Sequence, residues 1–320
     1  MSTDLPGWLR AVRQGVAQAA PRAGAFAQHV LVLPTTRSTN DDVARAALEG
    51  APEGYTVVAA EQTAGRGRRG ASWHSPATCG LYLSTLLRPD RWPVVRDSTT
   101  AASSLVTLMA GVAVASAVRD VCDAPVELKW PNDVVVRSRG DRPKADGRLT
   151  KADGRPTKAD GRPTKAEERL PGFRKLAGIL AEGASDGHVL RSVVLGIGVN
   201  LRPSEAPPDV ALRMISLHEL GGASAAHVPV EAIVASLLVR LRDGCERLSR
   251  GDLTGIRNDW RRLAPSVDGT TVRWHHQGVV QTGHAIGIDD TGALRVRTAE
   301  AREVTVHGGD VEWLLDACEA

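Results

Sequence analysis

The sequence predicts an α+β chain: a mixed β-sheet flanked by helices, followed by a small C-terminal β-barrel-like domain. Three observations carry this. Between residues 31 and 201, short Val/Leu-rich runs of strand length are interleaved with helical patterns. From Asp268 onward, short β-prone runs are separated by turn signals such as Asp289-Asp290-Thr291-Gly292. And 320 residues with 42% apolar content are enough for one large and one small domain, with 3% aromatics leaving most packing to Val, Leu and Ala.

The elements follow in order. Residues 1–28 form an Ala/Gly/Arg-rich, weakly helical extension, too short for a winged-helix DNA-binding domain. A large domain is placed at 29–266 and a small one at 267–320. Leu31-Val32-Leu33 reads as a short strand. A helix then opens at Ser38, with Ser38 and Asp41 as a capping box, Val43, Ala44, Ala47 and Leu48 on one face, and Gly50 as its stop. Residues 56–60 and 81–87 are strands. Residues 98–119 form a buried helix, because Ser103, Ser104, Thr107 and Ser116 interrupt what would otherwise resemble a membrane span. Residues 126–130 and 133–136 are strands around Pro131-Asn132; residues 175–182 and 193–201 are two more, mostly apolar. Residues 229–248 form an amphipathic helix.

Residues 140–172 interrupt this pattern with near-identical heptads of the form KADGR(L/P)T, beginning at Lys144, Lys151 and Lys158. They hold almost no apolar residues and no apolar a/d positions, so they are expected to be a disordered expansion of a hairpin loop, without a function of its own. In the last segment, residues 270–274, 279–288, 293–298 and 303–307 are the expected strands, with His275-His276 as a solvated turn.

Composition excludes several classes. A net charge of +3 does not suit a protein whose main partner is nucleic acid. Cys79, Cys122, Cys245 and Cys318 are far apart and make no metal or redox motif, as in a reduced cytoplasmic protein. No charged-then-apolar signal segment opens the chain.

The most informative stretch is Glu61 to Pro76, in which Gly65-Arg66-Gly67-Arg68-Arg69-Gly70 packs three glycines and three arginines into six residues after a strand. Glycine lets the backbone approach a ligand closely, and arginine supplies planar donors for carboxylate or phosphate. Such a loop suits a small anion, although Arg/Gly-rich stretches also occur as disordered or nucleic-acid-binding segments. Four more motifs fall at strand ends or helix starts: Ser38-Thr39-Asn40, Lys129-Trp130-Pro131-Asn132-Asp133, Lys175-Leu176-Ala177-Gly178-Ile179-Leu180-Ala181-Glu182 and Gly196-Ile197-Gly198-Val199-Asn200.

Taken in this order, the set resembles the catalytic domain of biotin–protein ligases, over about residues 31–220 and more loosely through Trp313. The resemblance implies a class II synthetase-like biotin–lipoate ligase fold with an SH3-like C-terminal domain, in a form lacking an N-terminal DNA-binding domain. It implies activation of biotin by ATP to biotinyl-5′-AMP and transfer to one lysine of a biotin carboxyl carrier domain, such as that of acetyl-CoA carboxylase. ATP would come with Mg²⁺. No metal ligands on the protein, no DNA and no membrane are expected.

By the resemblance, Lys129 and Arg66 are the catalytic residues: Lys129 supplies the charge that brings carboxylate to α-phosphate, and Arg66, with Arg68, sits in the loop that in this family orders over the acyl-adenylate and excludes water. Ser38, Thr39, Asn40, Gln62, Gly65, Arg66, Gly67, Arg68, Lys129 and Gly178 are assigned to biotin. Arg68, Arg69, Lys129, Asn132, Asn200 and Met214 are assigned to the nucleotide. Trp73 is expected to pack. Two departures from the family stand out: Ala71 where many relatives carry a basic residue, and Met214 where some place a tryptophan on adenine. The alternatives are a lipoate–protein ligase of the same wider fold, a bifunctional ligase and repressor, and a noncatalytic nucleic-acid-binding protein.

Overall fold

The computed structural model describes residues 4–92, 99–137, 172–186, 189–221, 228–276, 278–309 and 311–314. Helices α1 (Leu5–Ala23) and α2 (Ala25–Gln28) lead into β1 (Val30–Leu33), α3 (Thr39–Leu48), β2 (Thr56–Ala59) and β3 (Gly80–Leu87). Then come α4 (Thr99–Cys122), β4 (Val126–Lys129), β5 (Asp133–Arg137), β6 (Phe173–Asp186) and β7 (Val189–Asn200). Helices α5 (Pro208–Ala211), α6 (Leu217–Gly221), α7 (Val230–Ser249) and α8 (Leu253–Leu263) complete the first part. The last part is all strand: β8 (Thr271–His276), β9 (Val279–Ile288), β10 (Leu294–Arg297), β11 (Glu303–Val306) and β12 (Val311–Leu314).

The main sheet has seven strands in the order β1-β2-β3-β7-β6-β5-β4. Only β1 and β2 run parallel, so the sheet is mixed, as expected. The second is an antiparallel five-stranded sheet, β11-β10-β9-β8-β12.

The two faces of the main sheet are covered unequally, and this creates the site. On one face, Leu81, Leu83, Leu128, Ile179 and Ile197 join a large core with α4, and α7 and α8 pack against α4 in turn. Residues 104–122 of α4 are long and apolar enough to cross a membrane, but most of that window is buried against these elements. On the other face α3 sits on the strands, through a small cluster of Val43, Val57, Leu86 and Val194. The rest of that face is left for the loop that follows β2.

The N-terminal extension differs from expectation. It is a full helix: Asp4 Oδ1 accepts from Gly7 N at 2.9 Å, and Trp8, Val12, Gly15, Ala19 and Ala23 form a buried stripe at three- and four-residue spacing. A side chain at Gly15 would meet Val234 Cβ at 2.9 Å, so glycine is what lets α1 lie against α7. Tertiary packing overrides a composition that reads as weakly helical.

Helix α3 differs in detail. Ser38 makes no side-chain cap bond, Asp41 turns to Arg66 instead of completing a capping box, and Leu48 is 90% exposed. Gly50 stops the helix at φ 88°. Helix α8 has no counterpart among the expected elements. The heptad insertion lies outside the described residues, but the strands at its mouth pair as a hairpin, Arg137 opposite Phe173. His275 and His276 extend β8 and are exposed.

The two parts share an interface. Trp130, buried in the β4–β5 turn, donates from Nε1 to Gly292 O at 3.0 Å; Arg257 and Arg261 donate to Asp290 O and Ile288 O. The described cysteines, Cys79, Cys122 and Cys245, are free.

Candidate active site

A cavity of about 250 Å³ opens on the α3 face of the sheet, between the first turn of α3, the 65–73 loop and strands β5 to β7. Its floor is made of glycine. Gly178 and Gly198 stand directly opposite each other on β6 and β7, and Gly196 lies two residues from Gly198 on the same face. A Cβ on Gly196 would meet Asn40 Oδ1, one on Gly198 would meet Trp73 Nε1, and one on Gly178 would come within 2.8 Å of Trp73 Cζ3. The glycines therefore let Asn40 and the Trp73 indole lie close on the strands.

One end is neutral and polar. Gln62 Oε1 accepts from Thr39 N at 2.9 Å and from Thr39 Oγ1 at 3.0 Å, while Gln62 Nε2 donates to Ser75 Oγ at 3.0 Å. Buried Ser84 Oγ donates to Asn40 Oδ1 at 2.6 Å and lies 2.7 Å from Thr39 Oγ1. Asn40 Nδ2 donates to Glu182 Oε2 at 2.6 Å.

The other end is cationic. The loop folds as a small hairpin: Trp73 N donates to Gly65 O at 2.9 Å and Gly67 N to Ala71 O at 2.6 Å, with Arg69 at φ 54° in the turn. Arg66 Nη2 lies 2.8 Å from Glu182 Oε2 and 2.7 Å from Asp41 Oδ1. Arg68 Nη1 donates to Asn132 Oδ1 at 3.2 Å, and Asn132 is itself fixed by donating from Nδ2 to Ile179 O at 2.7 Å. Lys175 Nζ is ion-paired with Asp133 Oδ1 at 2.6 Å and stands 5.0 Å from the Trp73 ring centroid, in cation–π range. The cavity thus offers donors and acceptors for an uncharged polar group at one end and positive charge for an anion at the other.

Residues 32–200 match the Biotin/lipoate A/B protein ligase family, and residues 271–313 match the Biotin protein ligase C terminal domain. The biotin--[acetyl-CoA-carboxylase] ligase of Mycobacterium tuberculosis (strain ATCC 25618 / H37Rv) is 31% identical over 294 residues, covering 90% of each chain. The chain belongs to the biotin protein ligase family. It is a ligase, as the sequence resemblance implied. The Bifunctional ligase/repressor BirA of Bacillus subtilis (strain 168) is 28% identical over 288 residues, covering 89% of this chain and 74% of the relative. Among solved structures, the biotin protein ligase from Aquifex aeolicus in complex with biotin and ATP has the same fold: TM-score 0.66 at 21% identity, covering 90% of this chain and 99% of that one.

The residues expected to serve a biotin protein ligase fall into two groups. Ser38, Thr39, Asn40, Gln62, Arg66, Gly67, Arg68, Asn132 and Gly178 line the cavity together. Gly65 lies behind them, where a Cβ would meet Trp73 O and Ser75 Oγ at 2.6 Å. Lys129, Arg69, Asn200 and Met214 are not among the lining residues. Lys129 ends β4, the edge strand, opposite Asp133 and so one strand beyond the cavity. Burial holds its ammonium below the ordinary lysine range, opposed by Asp133 and reinforced by Lys175 and Arg213. Arg69 points towards Gly309, where a Cβ would lie 3.6 Å from its Nη2. Asn200 Nδ2 donates to Lys175 O at 3.2 Å, and Met214 pairs with Lys175 through backbone.

Lys175 is the cation that sequence reasoning did not single out. Asp133, Trp73, Gly196 and Gly198 also line the cavity unassigned. The alternating glycines of Gly196-Ile197-Gly198 were a legible signal for a strand face pressed close to something. Trp73, expected to pack, does so against Gly178 and Gly198, and in doing so becomes a wall of the cavity.

Proposed function

We propose that this cavity joins biotin to ATP and then passes biotin to a lysine of a carboxylase carrier domain. The observation that supports it is the placement of a neutral hydrogen-bonding end and a cationic end across one glycine floor. The ureido ring, which needs both donors and acceptors, is proposed to lie near Ser38, Thr39, Asn40 and Gln62. The carboxylate would then reach Arg66, Arg68 and Lys175, where it meets the α-phosphate.

In the first step a carboxylate oxygen attacks the α-phosphorus; the bond to the β-phosphate oxygen breaks and pyrophosphate leaves. Lys175 takes the role that the sequence reading gave to Lys129, since it is the lysine in the cavity wall: its compact charge reduces the repulsion between two anions and stabilises the charge that builds on phosphorus. Lys129, Arg69, Asn132, Asn200 and Met214 are proposed to serve the nucleotide from the edge-strand side. ATP is proposed to enter with Mg²⁺ carried on its phosphates. In the second step the carrier lysine amine attacks the acyl carbon, AMP leaves and an amide forms. The Arg66–Arg68 loop shields the mixed anhydride from water until then. The carrier is proposed to be a biotin carboxyl carrier domain, with neither DNA nor a membrane as partner.

Biotin-dependent ATP–pyrophosphate exchange, run beside lipoate and octanoate, tests this reading. Exchange with biotin alone is expected. Exchange with lipoate would move the chain to the lipoate branch of the same family, and no exchange from folded protein would overturn the assignment of the cavity.

A further inference from the structure

One carboxylate oxygen ties the two ends of the cavity together. Glu182 Oε2 accepts from Asn40 Nδ2 at 2.6 Å and from Arg66 Nη2 at 2.8 Å. Asn40 is 6% exposed and its other amide atom is taken by Ser84, so Glu182 fixes which way the amide faces. Arg66 sits on the 65–73 hairpin, which is also tied to the sheet side by Arg68 to Asn132, just before β5, and by the Trp73 ring beneath Lys175 of β6. Asp41, on α3, shares the same Arg66 nitrogen at 2.7 Å. Glu182 follows Gly178 and Leu180 at alternate positions of β6, so its side chain shares their face of the sheet.

We propose that Glu182 is a positioning residue: it sets Arg66, and through Arg66 holds the loop closed against α3 and β6, while orienting Asn40 at the neutral end. The consequence for catalysis rests on the function proposed above; the structural part does not. Glu182 is not among the residues lining the cavity; it acts through Asn40 and Arg66, which are. A carboxylate suits the position because one of its two donors is the Arg66 guanidinium, which a charged acceptor holds more strongly than a neutral one. Glutamine keeps an acceptor for Asn40 and loses the charge that holds the guanidinium. The Arg66 pair is partly exposed, with side chains 42% and 37% accessible, so its effect is moderate.

The test compares full-length wild-type chain with Glu182→Gln. Hydrogen exchange in the absence of ligands reads the loop directly. The amides of Gly67 and Trp73 are expected to exchange about fivefold to tenfold faster in the variant, with the β6–β7 amides and the melting temperature unmoved. Then, with ATP and biotin but no carrier, the variant is expected to raise the KM for biotin more than that for ATP and to release biotinyl-adenylate faster. A double-mutant cycle with Arg66→Gln should show little further loss when Glu182→Gln is added, because both remove one interaction. Unchanged loop amides, uniform acceleration across β6–β7, or additive losses would each overturn the proposal. Absence of biotin-dependent exchange in wild type would overturn the function instead, and the loop amides would still decide the role of Glu182.

Discussion

Lys175 and Gly178 share one face of β6 although they are three residues apart. A Cβ on Gly178 would come within 2.9 Å of Lys175 Cε and 3.0 Å of its Nζ. Strict alternation puts residues an odd number apart on opposite faces. The ladder explains the exception: Val134 pairs with Ala177 but Val135 pairs with Lys175, so Leu176 is skipped. This bulge re-aims Lys175 from the helix-covered core into the cavity, as bulges near active sites do.

Lys175→Ala should therefore cost the adenylation step about two to three orders of magnitude, the effect of removing one preorganised charge from a transition state. Asp133 would be left without its 2.6 Å partner, so Lys175→Met/Asp133→Asn is the companion variant that separates lost charge from an unpaired acid. Pyrophosphate exchange measures both. Near-normal exchange in Lys175→Ala would return the role to Lys129.

The glycine floor makes a second prediction. Gly198→Ala places a methyl group against the Trp73 indole, with Cζ2 2.9 Å away, and the indole in turn carries the Lys175 ammonium above it. Overpacking of this kind costs about 1–3 kcal/mol. The variant should melt several degrees lower and bind biotin more weakly, by thermal denaturation and calorimetry. Retained affinity with wild-type melting would mean that Trp73 moves freely and is no fixed wall.

The strands and the glycine motifs were legible because alternation and Gly placement are local. The ordering Ser38 to Asn40, Gln62, Arg66 to Arg68, Asn132 and Gly178 carried enough information for these residues to be grouped, and they line one cavity. The choice between Lys129 and Lys175 was not legible, since both stand near the end of an expected strand and only the bulge and the strand order distinguish them. Helix α1 reads as only weakly helical for a different reason: its stability comes from α7, more than two hundred residues later in the chain, to which its own composition gives no clue.

Lys129 supplies a prediction about stability and pH. Its ammonium is held low chiefly by lost hydration. Below this lowered pKa the folded and unfolded chains both carry the proton, and the lost hydration opposes folding in full. As pH rises between the folded and unfolded values, the folded chain releases its proton first and the opposition fades. Lys129→Met should thus raise the melting temperature by a few degrees at neutral pH, with the gap narrowing in alkali. Its pyrophosphate exchange should exceed that of Lys175→Ala. A variant that melts lower at neutral pH would show that the attraction of Asp133 outweighs burial.

The heptad insertion gives the last prediction, which follows from the strands on either side of it. Arg137 and Phe173 pair at the mouth of the β5–β6 hairpin, and the arginine lies over the Phe173 ring at 5.8 Å. The cavity residues Asp133 and Gly178 pair four positions further along β5. Deleting residues 144–164 leaves residues 138–143 and 165–172 to close the turn, more than a hairpin requires. Loop-closure entropy changes slowly with length, so the shorter turn should stabilise the fold by under about 1 kcal/mol and leave pyrophosphate exchange and carrier biotinylation within about twofold of the full chain. Steady-state rates and melting curves on the two proteins measure this. A selective loss of carrier biotinylation, with exchange intact, would instead give the repeats a part in receiving the carrier.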